Sequence, residues 1–250
     1  MNSPLSRIGG KRLLVKAILP LIPNHIGYIE PFAGASWVLF AKEPSRVEII
    51  NDYDTQLINF YRIMQKHCDE LVRCISNQLV SRDGFMYYLS NPKELTDVER
   101  AAAYYYLIRN SFGSKAESYA PTQGRHNYRR ELIKESLTKA AERLKDTYIE
   151  NKSYEYVISR YDRVDNFFYI DPPYYGTEDY YANGNYGRQD HEKLYEQLKT
   201  IKGKFLLSMC DVPLYRELYK DYNIKEVTTK YSLSQTTNTK KAGELLIANY

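Results

Sequence analysis

The chain has 250 residues, 26% of them charged and 43% hydrophobic, and a net charge of +4. That apolar content excludes disorder throughout, and the best candidate for a membrane span, residues 13–22, is short and broken by Lys16 and Pro20. Three cysteines (Cys68, Cys74, Cys210) are too few for a disulfide scaffold and lack metal-ligand spacing. No leader pattern opens the chain, so a reducing cytoplasm is expected, without a membrane or a metal.

In chain order, residues 25–30 (HIGYIE) predict a strand and residues 35–42 a helix. Residues 46–50 (RVEII) are a β-branched strand that ends at Asn51 and Asp52. Leu57, Tyr61, Met64, Cys68, Leu71 and Ile75 recur at three- and four-residue spacing, which predicts one long helix. Residues 101–108 and 135–144 are also helical, and residues 110–129 between them are polar, basic and rich in turn formers. Strand signals then return, weakly at residues 148–150 and strongly at 166–170 (NFFYI) and 205–209 (FLLSM). The last two are continuous apolar runs, as strands buried on both faces require. A helix over 191–199 separates them, and residues 224–233 and 244–250 are the closing strands. The simplest architecture is an α/β parallel sheet split by a helical insertion.

Positive charge is concentrated in two segments. Residues 109–145 carry nine Lys/Arg and four Asp/Glu, and residues 225–241 four Lys and one Glu, so the remainder sums to −4. Such a distribution suits a polyanion-binding surface, and it equally suits solvated faces.

Two motifs bear on chemistry. Glu30-Pro31-Phe32-Ala33-Gly34-Ala35 joins a strand to a helix, and Asp52 ends the next strand 18 residues beyond Gly34. In open α/β sheets, ligands sit at such turns and a strand-terminal acid holds ribose hydroxyls; an ordinary turn with a helix-capping Asp has the same pattern. Neither G-x-G-x-x-G nor G-x-x-x-x-G-K-[ST] occurs, which argues against a pyrophosphate cradle and against a nicotinamide-dependent oxidoreductase. The second motif, Asp171-Pro172-Pro173-Tyr174, follows the strand at 166–170. Its prolines stiffen the backbone and remove two N–H donors. What remains is two acceptors, the Asp171 carboxylate and the Pro172 carbonyl, beside the ring of Tyr174. That set suits a planar group bearing an exocyclic amine, which donates both hydrogens and stacks on the phenol. Two acceptors also favour the tetrahedral nitrogen, whose lone pair can attack, and the carboxylate stabilises the positive charge that then develops.

With these motifs the chain resembles the DNA adenine-N6 methyltransferases of the Dam (D12) family, which use S-adenosylmethionine. Ile8-Gly9-Gly10-Lys11 resembles the family's A-G-G-K, residues 30–34 its E-P-F-x-G, Asn51-Asp52 its second strand end, and Asp171-Pro172-Pro173-Tyr174 is its D-P-P-Y. Tyr231-Ser232-Leu233, Lys240-Lys241 and Glu244-Leu245-Leu246 resemble its closing segment. The resemblance implies a class I S-adenosylmethionine-dependent methyltransferase (Rossmann-like) sheet made by residues 1–80 and 145–250. Residues 81–144 would then be a helical insertion that recognises the target. It implies that Arg7, Lys11, Phe32, Gly34, Asp52 and Asp171 contact the cofactor region, and that Asp171, Pro172 and Tyr174 receive an adenine flipped out of double-stranded DNA. Arg109, Asn110, Lys115, Arg125, Lys240 and Lys241 are the candidate DNA contacts. A cognate restriction endonuclease fits the family, and no obligate protein partner is expected. A flap over residues 180–188 is a candidate cover for the site. Three positions depart from the family: Ser36 replaces the last glycine of E-P-F-x-G-x-G, Arg7 stands where many relatives carry an aromatic, and residues 109–115 differ from the loop that reads GATC. Methylation of cytosine N4 or of RNA adenine would use the same chemistry, and a catalytically dead DNA-binding relative is the alternative of a different class.

Overall fold

The computed structural model describes residues 1–7, 11–114, 116–120, 129–176, 186–230 and 241–250. In chain order its elements begin with α1 (Val15–Ile18), β1 (Gly27–Glu30), α2 (Trp37–Ala41) and β2 (Val47–Asn51). Five helices follow: α3 (Thr55–Lys66), α4 (Cys68–Asn77), α5 (Arg82–Ser90), α6 (Asp97–Arg109) and α7 (Arg130–Leu144). The alternation then resumes with β3 (Tyr148–Glu150), α8 (Tyr154–Tyr161), β4 (Asn166–Ile170), α9 (Arg188–Leu198), β5 (Lys204–Cys210), α10 (Pro213–Leu218), β6 (Asn223–Lys230) and β7 (Lys241–Ala248).

The seven strands form one sheet in the order β3-β2-β1-β4-β5-β7-β6. All pairs are parallel except those of β7, which runs antiparallel to both β5 and β6. The apolar runs behave as their composition requires. In β4, Phe167 and Tyr169 point into one core while Phe168 and Ile170 point into the other, on the opposite face. Strand order reverses between β1 and β4, so the carboxyl ends of these two neighbours open a crevice.

The predicted long helix is two helices. It breaks at His67, whose backbone (φ −135°, ψ 43°) leaves the helical region. The break lets α3 and α4 each turn an apolar face toward α6, where Phe60 stacks on Tyr105 with centroids 5.8 Å apart. Helices α5, α8 and α10 carry only short or weak periodicity. Their starts are fixed by local chemistry instead: Ser81 caps α5, Ser153 caps α8, and Pro213 opens α10.

The helical stretch between β2 and β3 has only a small cluster of its own, Phe85, Tyr106 and Leu107, and otherwise packs into the core of the sheet. Ala101, Tyr105, Ile108, Leu137 and Leu144 of α6 and α7 share one apolar cluster with Tyr28, Ile50 and Phe167 of the sheet. A buried ion cluster reinforces the junction. Glu48 of β2 accepts from Lys42 Nζ at 2.6 Å and from both terminal guanidinium nitrogens of Arg143 in α7, one of them at 2.9 Å. Burial alone would raise the Glu48 pKa, but the hydrogen bonds from Arg143 and Lys42 outweigh it and hold the carboxyl below its ordinary value. Arg143 therefore belongs to the interior. Its pairing with Glu48, outside residues 109–145, takes one charge from the positive surplus of that stretch, while Lys139 and Lys145 are paired within it with Glu135 and Glu142, each at 2.6 Å.

Candidate active site

Three strand ends build the site. After β1 the chain turns at Gly34, whose φ of +48° lies in the left-handed region. A Cβ there would meet nothing within 4 Å, so the glycine is required by the backbone and leaves an open approach beside it. Its N–H donates to Asp52 Oδ2 at 2.8 Å, and its carbonyl accepts from the Tyr61 hydroxyl at 2.8 Å. Asp52, at the end of β2, also accepts from the Asp54 N–H through Oδ1 at 2.9 Å. Two backbone donors thus fix both oxygens of the acid, and each oxygen keeps acceptor capacity for a ligand. Burial raises the Asp52 pKa, with Arg7 and the two N–H groups opposing it.

Glu30 secures the turn from beneath. It is buried, and its Oε1 accepts from the Tyr28 hydroxyl at 2.6 Å and from the Leu39 N–H at 3.0 Å, tying β1 to α2. Burial pushes its pKa up to about 7 against those hydrogen bonds. Ser36, the first departure from the family pattern, stands in the left-handed region, with φ 46° and ψ 41°. That conformation costs a side chain roughly 1–2 kcal/mol, a cost a glycine at this position avoids.

The third strand end is Asp171-Pro172-Pro173-Tyr174, after β4. Lys11 Nζ lies 2.5 Å from Asp171 Oδ1 and 2.5 Å from the Tyr174 hydroxyl. Glu244 of β7 faces the same ammonium at 3.5 Å and accepts from the Tyr174 hydroxyl and, at 2.8 Å, from Ser208 Oγ. Burial pushes the Asp171 pKa up to about 6, with Lys11 opposing.

A cleft of about 250 Å³ joins the three strand ends, and Arg7, Lys11, Phe32, Gly34, Asp52, Asp171 and Pro173 all line it. Phe32 stacks on Tyr154 (centroids 5.1 Å, 27°) and meets the edge of Tyr186 at 5.6 Å, giving the cleft an aromatic wall. Arg7 is held by Asp54 at 3.1 Å, and its guanidinium lies 6.0 Å from the Tyr104 ring centroid. Aromatic walls with a ribose-type acid at one end and a further carboxylate at the other suit a nucleoside that carries positive charge.

The predicted DNA contacts fare differently. Arg109 is exposed at the end of α6, lying over the Tyr105 ring at 5.4 Å and donating to its hydroxyl. Asn110 is a correction: it is fully buried and donates to the Tyr106 carbonyl at 2.8 Å, so it caps α6 where a surface contact was expected. Lys115, Arg125 and Lys240 lie outside the described residues, as do residues 8–10, 231–233 and 180–185 of the expected flap, and for Lys241 only the backbone in β7 is described. Tyr186, in the last part of that flap, is buried against the cleft wall.

Glu30, Tyr61, Ser208 and Glu244 escaped sequence reasoning as site residues. Glu30 and Glu244 left a signal, Glu30 as the first residue of the strand-end motif and Glu244 as a carboxylate at the head of the apolar run of β7. Tyr61 and Ser208 left none, and only the fold brings them to the cleft.

A mostly parallel seven-stranded sheet with a reversed β7, an acid-bound glycine turn after β1 and D-P-P-Y after β4 defines a class I methyltransferase. Residues 8–233 match the family described as D12 class N6 adenine-specific DNA methyltransferase, and the chain belongs to that family. It is 29% identical over 268 aligned positions to the Type II methyltransferase M1.LlaDCHI of Lactococcus lactis subsp. cremoris, covering 97% of this chain and 93% of that protein. It is 28% identical to the Type II methyltransferase M.CviBI of Paramecium bursaria Chlorella virus NC1A (89% and 88% covered). Against the DNA adenine methylase of Salmonella typhi identity is also 28% (97% and 92% covered).

Proposed function

We propose that the cleft binds S-adenosylmethionine and that the D-P-P-Y corner presents the N6 amine of an adenine, flipped out of double-stranded DNA, to its methyl group. The observation that carries this is the opening of Gly34, Asp52 and Asp171 into one cleft at the strand-order reversal. The residues fit the group. Asp52 has acceptor capacity for ribose hydroxyls, Phe32 and Tyr154 supply flat apolar surface for a purine, and the acids of the cleft suit a cation. When bound, S-adenosylmethionine supplies a methyl group activated on a sulfonium.

The chain's own residues do the rest. Asp171 and the Pro172 carbonyl accept the two amine hydrogens, which favours the tetrahedral nitrogen and stabilises the charge that grows on it. Tyr174 offers a face for the purine ring, and Lys11 holds Asp171 and Tyr174 in place. The target must leave the duplex because its amine is out of reach in the stack. Residues 81–144 form the target-recognition insertion. The two basic segments, residues 109–145 and 225–241 with Lys240 and Lys241, hold phosphates, which gives affinity and salt dependence without sequence choice, and side chains of the loop from Arg109 through Lys115 to Arg125 read base edges. No helix among the described residues is long and apolar enough to cross a membrane, and a DNA substrate suits the cytoplasm. The relatives named Type II methyltransferases support a cognate restriction endonuclease acting at the same sequence.

Incubation with labelled S-adenosylmethionine and unmethylated genomic DNA, followed by nucleoside analysis, tests the proposal. N6-methyladenine at one recurring sequence is expected; N4-methylcytosine, or no incorporation, would overturn it.

A further inference from the structure

Glu244, 1% exposed, sits on β7, the reversed strand that lies between β5 and the edge strand β6. Three donors converge on its Oε1: the Tyr174 hydroxyl, Ser208 Oγ at 2.8 Å and Lys11 Nζ at 3.5 Å. The same Lys11 ammonium touches Asp171 Oδ1 at 2.5 Å and the Tyr174 hydroxyl at 2.5 Å. One buried cation is thus shared by two carboxylates, and the tyrosine hydroxyl bridges the cation and the deeper acid.

Sharing has a chemical consequence. The ammonium sits against Asp171 Oδ1 and by itself would drain the carboxylate's negative potential. A second acid behind it offsets part of that charge. The same acid orients the Tyr174 ring, because a phenol that accepts from one charged group and donates to another has little freedom to turn.

We propose that Glu244 is a positioning residue for methyl transfer, offsetting part of the Lys11 charge that bears on Asp171 and anchoring the ring on which the target base stacks. The proposal rests on the function assigned to Asp171 above. Its electrostatic half is supported by the titration of Asp171, which burial raises most, Lys11 opposes and the Glu244 charge raises further. The other groups near that carboxyl are Tyr174 in its own loop and Tyr169 in β4, which also feels Glu244 and Glu30 of β1, with Cys210 of β5 beside Glu244.

The test compares Glu244→Gln and Glu244→Ala with the parent and with Asp171→Ala. Single-turnover methyl transfer from labelled S-adenosylmethionine to unmethylated genomic DNA is followed from pH 5 to 8, with melting temperature and cofactor affinity measured alongside. Glu244→Gln keeps an acceptor for Tyr174 and Ser208 but removes the charge. Its acid limb is expected to move down by about half a pH unit or more, with the rate constant lowered about tenfold and cofactor affinity unchanged. Glu244→Ala, which also frees the ring, is expected to be slower still. A merely structural role would lower the melting temperature without moving the acid limb. If the alanine variant fails to fold, the near-isosteric glutamine variant carries the test alone. A parent-like acid limb and rate in Glu244→Gln, with Asp171→Ala inactive, would overturn this proposal alone. An active Asp171→Ala would overturn the assigned function and this proposal with it.

Discussion

At the β1–β2 end of the cleft, the groups that face a ligand are fixed by the backbone: the N–H groups of Gly34 and Asp54 hold Asp52, and Tyr61 holds the Gly34 carbonyl. At the β4–β7 end they are fixed by side-chain charge, with Lys11 bridging Asp171 and Glu244 from a segment far away in sequence. The first construction suits binding, since backbone donors hold their position whatever enters. The second suits chemistry, since a shared ammonium can shift as charge develops on the substrate. Damage at the first end is therefore expected in affinity, and at the second in rate.

The sharpest way to break this contrast is Asp171→Ala. Single-turnover methylation is expected to fall on the order of 10³-fold, because Asp171 is the negatively charged acceptor set against the charge growing on the amine. Equilibrium binding of S-adenosylmethionine is expected to stay close to that of the parent; a large loss of cofactor affinity with the rate intact would invert the assignment. Next in size is Asp52→Asn, for which the KM for S-adenosylmethionine is expected to rise about 10- to 100-fold with kcat nearly unchanged. Steady-state kinetics with saturating DNA decides this, and a kcat effect alone would mean that both ends serve chemistry.

A smaller effect tests the backbone end. Ser36→Gly and Ser36→Ala both lose the hydroxyl, but only glycine is at ease at φ 46°. The glycine variant is expected to be more stable than the alanine variant by about 1 kcal/mol in denaturant unfolding. Equal stabilities would show that the left-handed turn is not a constraint. The smallest effect concerns Glu30, whose folded pKa of about 7 stands above its ordinary value of 4.5. The folded state then binds more protons than the unfolded one across that interval. The stability this contributes is full below pH 4.5 and is lost as pH rises through about 7. Glu30→Gln is expected to flatten that part of the pH–stability curve, and a slope unchanged in the variant would assign it to other groups.

What could be read beforehand follows the same division. The two-sided apolar runs of β4 and β5, the E-P-F-A-G turn and D-P-P-Y all declared themselves, because each is a local pattern tied to one strand end. The break at His67 did not, since an unbroken periodicity fits one helix as well as two. Asn110 was misread because a polar residue in a basic loop and a polar residue capping a buried helix end look alike in one dimension. Arg143 was counted among surface cations for a related reason: its partner, Glu48, lies 95 residues away.

The chain order of the strands, the family and the two strand-end motifs were determined by sequence alone, because short-range spacing and side-chain chemistry suffice to state them. Which cations face solvent and which carboxylate stands behind Asp171 was decided only by the tertiary structure. So was the continuity of one core through sheet and insertion. These are contacts between segments remote in the chain, and only packing, which excludes water and leaves each buried charge to find a partner, selects them.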